Sequence, residues 1–151
     1  MLLLVAAHLP MMAYFGAVHQ SGPLAAVQEV QRRAPLNATF LMPCHSCPAQ
    51  SFVHNPRVAL HFLQCEPPPS TRNESDVLFS DPLAFPLNVR GADLLVLFEP
   101  LYNVLRPRLS GNWRLVWEAY HSSTPSDARH GTSVKILERT YEQRIEREEP
   151  V

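Results

Sequence analysis

Residues 1–18, MLLLVAAHLPMMAYFGAV, carry no Lys, Arg, Asp or Glu, and His8 is the one histidine among them. A run that is apolar on every face is unusual outside a core or a membrane. A secretory signal would need a basic segment ahead of the apolar stretch, and Leu2 follows Met1 directly. A transmembrane helix needs about 20 apolar residues, so this run falls just short unless it begins upstream of Met1. Pro10 is tolerable in such a helix where neighbouring helices satisfy the freed carbonyl. Membrane helix, signal-like segment and soluble core helix stay open, and a membrane helix cut at its N-terminus is the expectation.

Beyond residue 20 the pattern becomes that of a folded domain. Ser21-Gly22-Pro23 offers a capping residue and a first-turn proline for a helix through LAAVQEVQRR. Leu24, Val27 and Val30 recur at spacings of three, and Arg32-Arg33 and Pro35 close the segment. Strands are predicted over Ala38–Met42 and Val58–Leu63, followed by the breaker EPPPSTRNES, with a short third strand over Asp76–Phe79. ADLLVLF, residues 92–98, is a continuous apolar run of the kind buried parallel strands show. A helix is expected from Glu99 or Pro100 to Leu105, and strands over 113–120, whose alternation is imperfect, and 133–139. This order gives an α/β domain with a mixed sheet and flanking helices.

With 151 residues there is room for one domain with a core, and not comfortably two. The formal net charge of -1, with no basic stripe, argues against nucleic acid as a partner. Fifteen prolines spread along the chain imply many non-helical connections. Five glycines and no GxGxxG or GxxxxGK[ST] leave no familiar nucleotide cradle. Asn37-Ala38-Thr39 and Asn73-Glu74-Ser75 both fit the N-glycosylation sequon and, after an apolar segment, favour an endoplasmic reticulum lumen location for everything past residue 20.

Candidate chemistry centres on FLMPCHSCP, residues 40–48. Cys44 and Cys47 have C-x2-C spacing, but His54 and His61 do not follow at the interval of structural zinc sites. A redox dithiol opening a helix is compatible with Pro48, although the usual tryptophan-glycine flank is missing. A cysteine–histidine nucleophile is unspecific with seven histidines to choose from. Structural use, as a disulfide that leaves one cysteine free, is preferred, and spacing does not fix the pairing. Asp76 and Asp81 do not form a D-x-D metal motif. Glu99 stands where α/β sheets often carry functional groups, but a carboxylate at a helix start is the preferred reading. Trp113, Trp117 and Tyr120 read as core or sheet-face residues before a sugar platform.

Several blocks of the chain are familiar. They are Val18-His19-Gln20-Ser21-Gly22; Phe40-Leu41-Met42-Pro43-Cys44-His45-Ser46 with Pro48, Ser51, Val53 and His54; and Phe62-Leu63-Gln64-Cys65. Asp76-Val77 with Asp81-Pro82-Leu83, and Ser133-Val134 through Glu138-Arg139, complete the set. Together they resemble the C-terminal end of the GPI mannosyltransferase III family, polytopic enzymes of the endoplasmic reticulum that add the third mannose to glycosylphosphatidylinositol (GPI) precursors. The likeness covers about residues 14–140 and departs at Cys47, where threonine is expected, and at Ala49-Gln50, where aromatics are usual.

The resemblance implies α-1,2 transfer of mannose from dolichyl-phosphate-mannose to the GPI precursor lipid, with no cofactor and no metal. It makes residues 1–18 the last transmembrane helix, 19–140 a lumenal α/β domain and 141–151 a charged tail, all belonging to an enzyme of the endoplasmic reticulum membrane. In that superfamily the catalytic carboxylate sits in the first lumenal loop, which has no counterpart here, so the chain alone is expected to be inactive. Cys44 and Cys65 match the family pattern and form the preferred disulfide. His45, Ser46 and His54 either face the acceptor glycan or only shape a corner, and the corner is the leading reading. The alternative from another class is a membrane-tethered, non-catalytic lumenal domain with a binding or assembly role. A related mannosyltransferase of N-glycan precursors is disfavoured by the LMPCHS block.

Overall fold

A computed structural model describes residues 2–47, 49–65, 73–87, 89, 91–125 and 127–140. The charged tail, 141–151, and most of the EPPPSTRNES breaker lie outside the described residues. In chain order the elements are helices α1 (Leu2–Ala17) and α2 (Gly22–Arg33), strand β1 (Asn37–Leu41), helix α3 (Ala49–Phe52), strand β2 (Ala59–Phe62) and helix α4 (Glu74–Ser80). Strand β3 (Leu94–Phe98), helix α5 (Glu99–Leu109) and strands β4 (Trp113–Tyr120) and β5 (Ser133–Arg139) follow.

The five strands form one mixed sheet in the order β2-β1-β3-β5-β4. β1 lies parallel to β2 and to β3, while β5 runs antiparallel to β3 and to β4. All five residues of β3 are buried, and alternation sends them to opposite faces. Leu94, Val96 and Phe98 pack with Ala26, Val27 and Val30 of α2 and with Phe40 and Ile136. Leu95 and Leu97 pack with Leu101, Leu105 and Leu109 of α5, with Leu78 of α4 and with Trp113. The result is three layers, helix–sheet–helix, which is the α/β architecture the element order predicts.

Several local expectations are corrected. α1 has 16 residues, or about 24 Å at 1.5 Å per residue, against about 30 Å of bilayer hydrocarbon. Among the described residues no helix is long and apolar enough to cross a membrane, so the expected transmembrane helix is not supported. Asp76–Phe79 is helical, not a strand, because Asn73 caps α4 by accepting a 2.7 Å bond from the Asp76 N–H. Glu74 and Asp76 in the first turn add the favourable dipole term, which outweighs the β-preference of Val77 and Phe79. α5 runs past Leu105 and through Pro107, held by Leu101, Leu105 and Leu109 at intervals of four.

Ser21 does not cap α2; its hydroxyl donates back to the Val18 carbonyl at 2.8 Å. Leu24 faces outward at 37% exposure, and Ala26 takes its place on the buried face. The imperfect alternation of residues 113–120 has a cause as well: a register shift between Leu115 and Trp117. The bulge puts Trp113 in the α5-side core and Trp117 against the α2-side core, so the two rings form no common platform.

Gly131 is the glycine the fold most depends on, since its φ is +63° and a Cβ there would run into the Pro100 ring. Gly131→Ala is expected to destabilise the chain by about 2 kcal/mol or more, through left-handed strain and the clash. Gly111→Ala, where a Cβ meets open space, should stay within about 0.5 kcal/mol of the parent. Urea denaturation of the two variants checks this contrast.

Candidate functional site at the carboxyl ends of the parallel strands

β1 leads through α3 to β2 on one side, and β2 leads through α4 to β3 on the other. α3 contributes Ala49 to the α2-side core, and α4 contributes Leu78 to the opposite core. The chain therefore reverses direction between β1 and β3, and the carboxyl ends of strands at such a switch point are where open α/β sheets place ligands. The LMPCHS corner follows β1, and Phe98 ends β3, at this position.

Three further segments close on it. β4 ends and β5 begins at the same edge, because Tyr120 pairs with Ser133 and Val134 with Phe98. The connection between them supplies His121 and His130. The α1–α2 link supplies Gln20, whose N–H donates to the His121 carbonyl at 2.8 Å. Gly22 permits the approach: a Cβ there would lie 3.0 Å from the His121 Cβ and 3.0 Å from a methyl of Val134. A cleft of about 210 Å³ results, lined by Gln20, Pro23, Cys44, His45, Ser46, Phe98, His121 and His130.

Packing, more than hydrogen bonding, fixes its imidazoles. The rings of His121 and His130 each sit 4.9 Å from the Phe98 ring, centroid to centroid, and 6.0 Å from each other. The Ser46 hydroxyl and His130 Nε2 share a hydrogen bond of 3.2 Å. Among the described residues, the only buried side-chain polar atoms without a partner are Ser75 Oγ, His121 Nδ1 and His130 Nδ1. Burial pushes the His121 imidazole down to about 4, with the neighbouring His130 and His19 adding to the cost of a positive charge. Burial also lowers His130, partly offset by Asp127.

The corner itself is under conformational constraint. His45 has a φ of 63° and Gln20 of 60°, and with Ala34 they are the only non-glycine residues at positive φ among those described. Two of the three line this cleft, and such strain persists only where the surroundings impose it. Beside His45, Cys44 is bridged to Cys65, with their Cα atoms 5.6 Å apart and a sequence separation of 21. The bridge ties the carboxyl ends of β1 and β2, a constraint of about 3 kcal/mol in the chain-entropy view. Cys47 is the free cysteine, its thiol pushed up to about 11 by burial, which makes it a poor nucleophile.

The other sequence candidates lie elsewhere. His54 is exposed between α3 and β2, outside the cleft. His61 shares a 3.4 Å contact with the Asn37 side chain at the start of β1. Asn73 is occupied as the α4 cap, its amide donating to Asp76 at 2.8 Å. Asp76 also pairs with Arg129 at 3.6 Å, and Asp81 closes α4. Glu99 accepts from the Thr132 hydroxyl and N–H, which secures the β4–β5 connection. Among the described residues no group of three or more histidines, cysteines or carboxylates is placed to hold a metal ion. A larger cleft of about 340 Å³ over Thr39, Leu41 and Leu63 is walled mainly by Phe85, Leu87 and Val89. Its one carboxylate, Glu74, already accepts from the Gln64 N–H at 2.8 Å. His121 and His130 escaped the sequence reading because nothing local marks them; only the strand pairing carries them to the corner.

Comparison with known proteins gives the family. The chain is 36% identical to the GPI alpha-1,2-mannosyltransferase 3 of Danio rerio over 149 residues, which is 87% of this chain and 27% of that protein. It is 30% identical to the Mus musculus protein of the same name, over 94% of this chain and 29% of that protein. GPI mannosyltransferase 3 of Candida albicans is 30% identical over 82% of this chain and 29% of its own length. The chain belongs to the GPI mannosyltransferase 3 family. It spans less than a third of the length of these curated relatives. No family model matches it, and no solved structure does.

The buried imidazole gives a pH prediction. His121 takes a proton near 6.5 when unfolded and only near 4 when folded, so the unfolded chain binds more protons between those values. Stability is therefore full above about 6.5 and falls as pH drops toward 4. Between pH 6.5 and pH 5 the loss from this group should approach about 2 kcal/mol, read as a lower urea midpoint, and His121→Asn should flatten the dependence. A midpoint unchanged over that interval would contradict the burial of His121.

Proposed function

We propose that this chain is the C-terminal, lumenal part of a GPI mannosyltransferase. The whole protein transfers mannose in α-1,2 linkage from dolichyl-phosphate-mannose to the GPI precursor lipid at the endoplasmic reticulum membrane. The observation that carries this reading is the run of similarity across 82–94% of the chain to relatives named for that activity.

Within the whole enzyme the chain serves the acceptor side. Mannosyl transfer needs a base to take the proton of the attacking hydroxyl, and a carboxylate suits that task. The cleft has no Asp or Glu in its lining, and His121, neutral down to about 4, is a weak base. The catalytic carboxylate is assigned to the first lumenal loop of the whole protein, and the chain alone is inactive. His45 and Ser46, which line the cleft, face the acceptor glycan; His54 is exposed outside the cleft. Asn37 and Asn73 are the sequon positions available for lumenal glycans. α1, with Leu9, Met11, Met12 and Phe15 exposed, meets the membrane-embedded part of the enzyme.

The test uses cells that lack GPI mannosyltransferase 3. A whole relative in which this chain replaces the matching region should restore GPI-anchored proteins at the cell surface and shift on an endoglycosidase gel. The chain expressed alone should restore none. Restoration by the chain alone, or a well-expressed chimera that restores nothing, would sink the proposal.

A further inference from the structure

We propose that the cleft between the LMPCHS corner and the β4–β5 connection binds one uncharged sugar ring. The ring's hydroxyls are taken up by Ser46, His130 and Gln20, and His121 and Phe98 form the floor. The inference deepens the acceptor-side reading of this corner and rests on it.

The argument begins with the lining. It includes an amide, a hydroxyl and three imidazoles, and no Lys, Arg, Asp or Glu. Such groups both donate and accept, which suits hydroxyls; a phosphate or carboxylate ligand would call for fixed cations. His121 is 4% exposed and stays neutral through the physiological range, so it supplies no such cation. The donor's phosphate and the phosphates of a GPI precursor are therefore poor ligands here, and the neutral part of the glycan is the suitable one.

Size and strain agree with this. At about 30 Å³ per water, 210 Å³ holds roughly seven waters, which is the scale of one monosaccharide. His121 Nδ1 and His130 Nδ1 find no partner in the fold, although buried polar atoms are nearly always paired. Gln20 and His45, both in the lining, are held at positive φ. Backbone strain of this kind clusters at ligand sites, and the switch point of an open sheet is where such sites lie.

The experiment records imidazole ¹H–¹⁵N correlations of the 151-residue chain during titration. Methyl α-D-mannopyranoside is expected to shift His121 and His130 along one saturable curve with a Kd on the order of 1 mM, leaving His54 and His61 in place. Ser46→Ala, at a half-buried position, should fold normally and weaken the curve about fivefold. Inorganic phosphate, titrated in the same way, should shift neither ring. Saturable shifts with phosphate alone would make this an anion site and overturn the proposal, as would no shift with either probe or shifts confined to His54 and His61. Failure here with a working chimera would remove the sugar site and leave the family reading intact; a failed chimera with mannoside binding would do the reverse.

Discussion

Leu94–Phe98 is buried at every position, and both of its backbone edges are taken, by β1 on one side and β5 on the other. A strand in that position must be apolar on both faces, because neither face meets water. The three layers follow from it: Leu94, Val96 and Phe98 call for α2 on one face, and Leu95 and Leu97 for α5 and α4 on the other. Its last residue also decides where the cleft lies. Phe98 is at once the end of the central strand and the ring against which His121 and His130 are set.

Much of this was legible in sequence, and the reasons for the rest are physical. A continuous apolar run such as ADLLVLF has one good solution in a chain of this size, an interior strand. The α4 segment misled because Val77, Leu78 and Phe79 favour a strand locally, while the deciding residue, Asn73, stands ahead of them and acts through one capping bond. Residues 1–18 read as a membrane helix on composition, whereas among the described residues no helix, α1 included, is long and apolar enough to cross a membrane. The corner was visible as LMPCHS through its resemblance. Its partners were not, since His121 and His130 lie 75 or more positions away in sequence and reach it only through the pairing of β3, β4 and β5.

The chemistry follows from that convergence. The Cys44–Cys65 bridge pins the corner to the end of β2, and the Glu99–Thr132 contact and Gly131 pin the opposing connection to the start of α5. Between the two anchors stands a polar, uncharged cleft, where burial keeps the His121 imidazole neutral in place of activating it. Such a site is suited to holding a hydroxylated group in place. The chain spans less than a third of the family members it matches, and in the reading proposed above the hydroxylated group held here is the acceptor glycan.

The central claim is that two distant segments meet over Phe98. Nuclear Overhauser contacts among the aromatic protons test it most directly. The account predicts cross-peaks from the Phe98 ring to the imidazoles of both His121 and His130, with ring-current shifts on both histidines, since each lies 4.9 Å away. Histidine signals at random-coil positions, with no contact to Phe98, would contradict it.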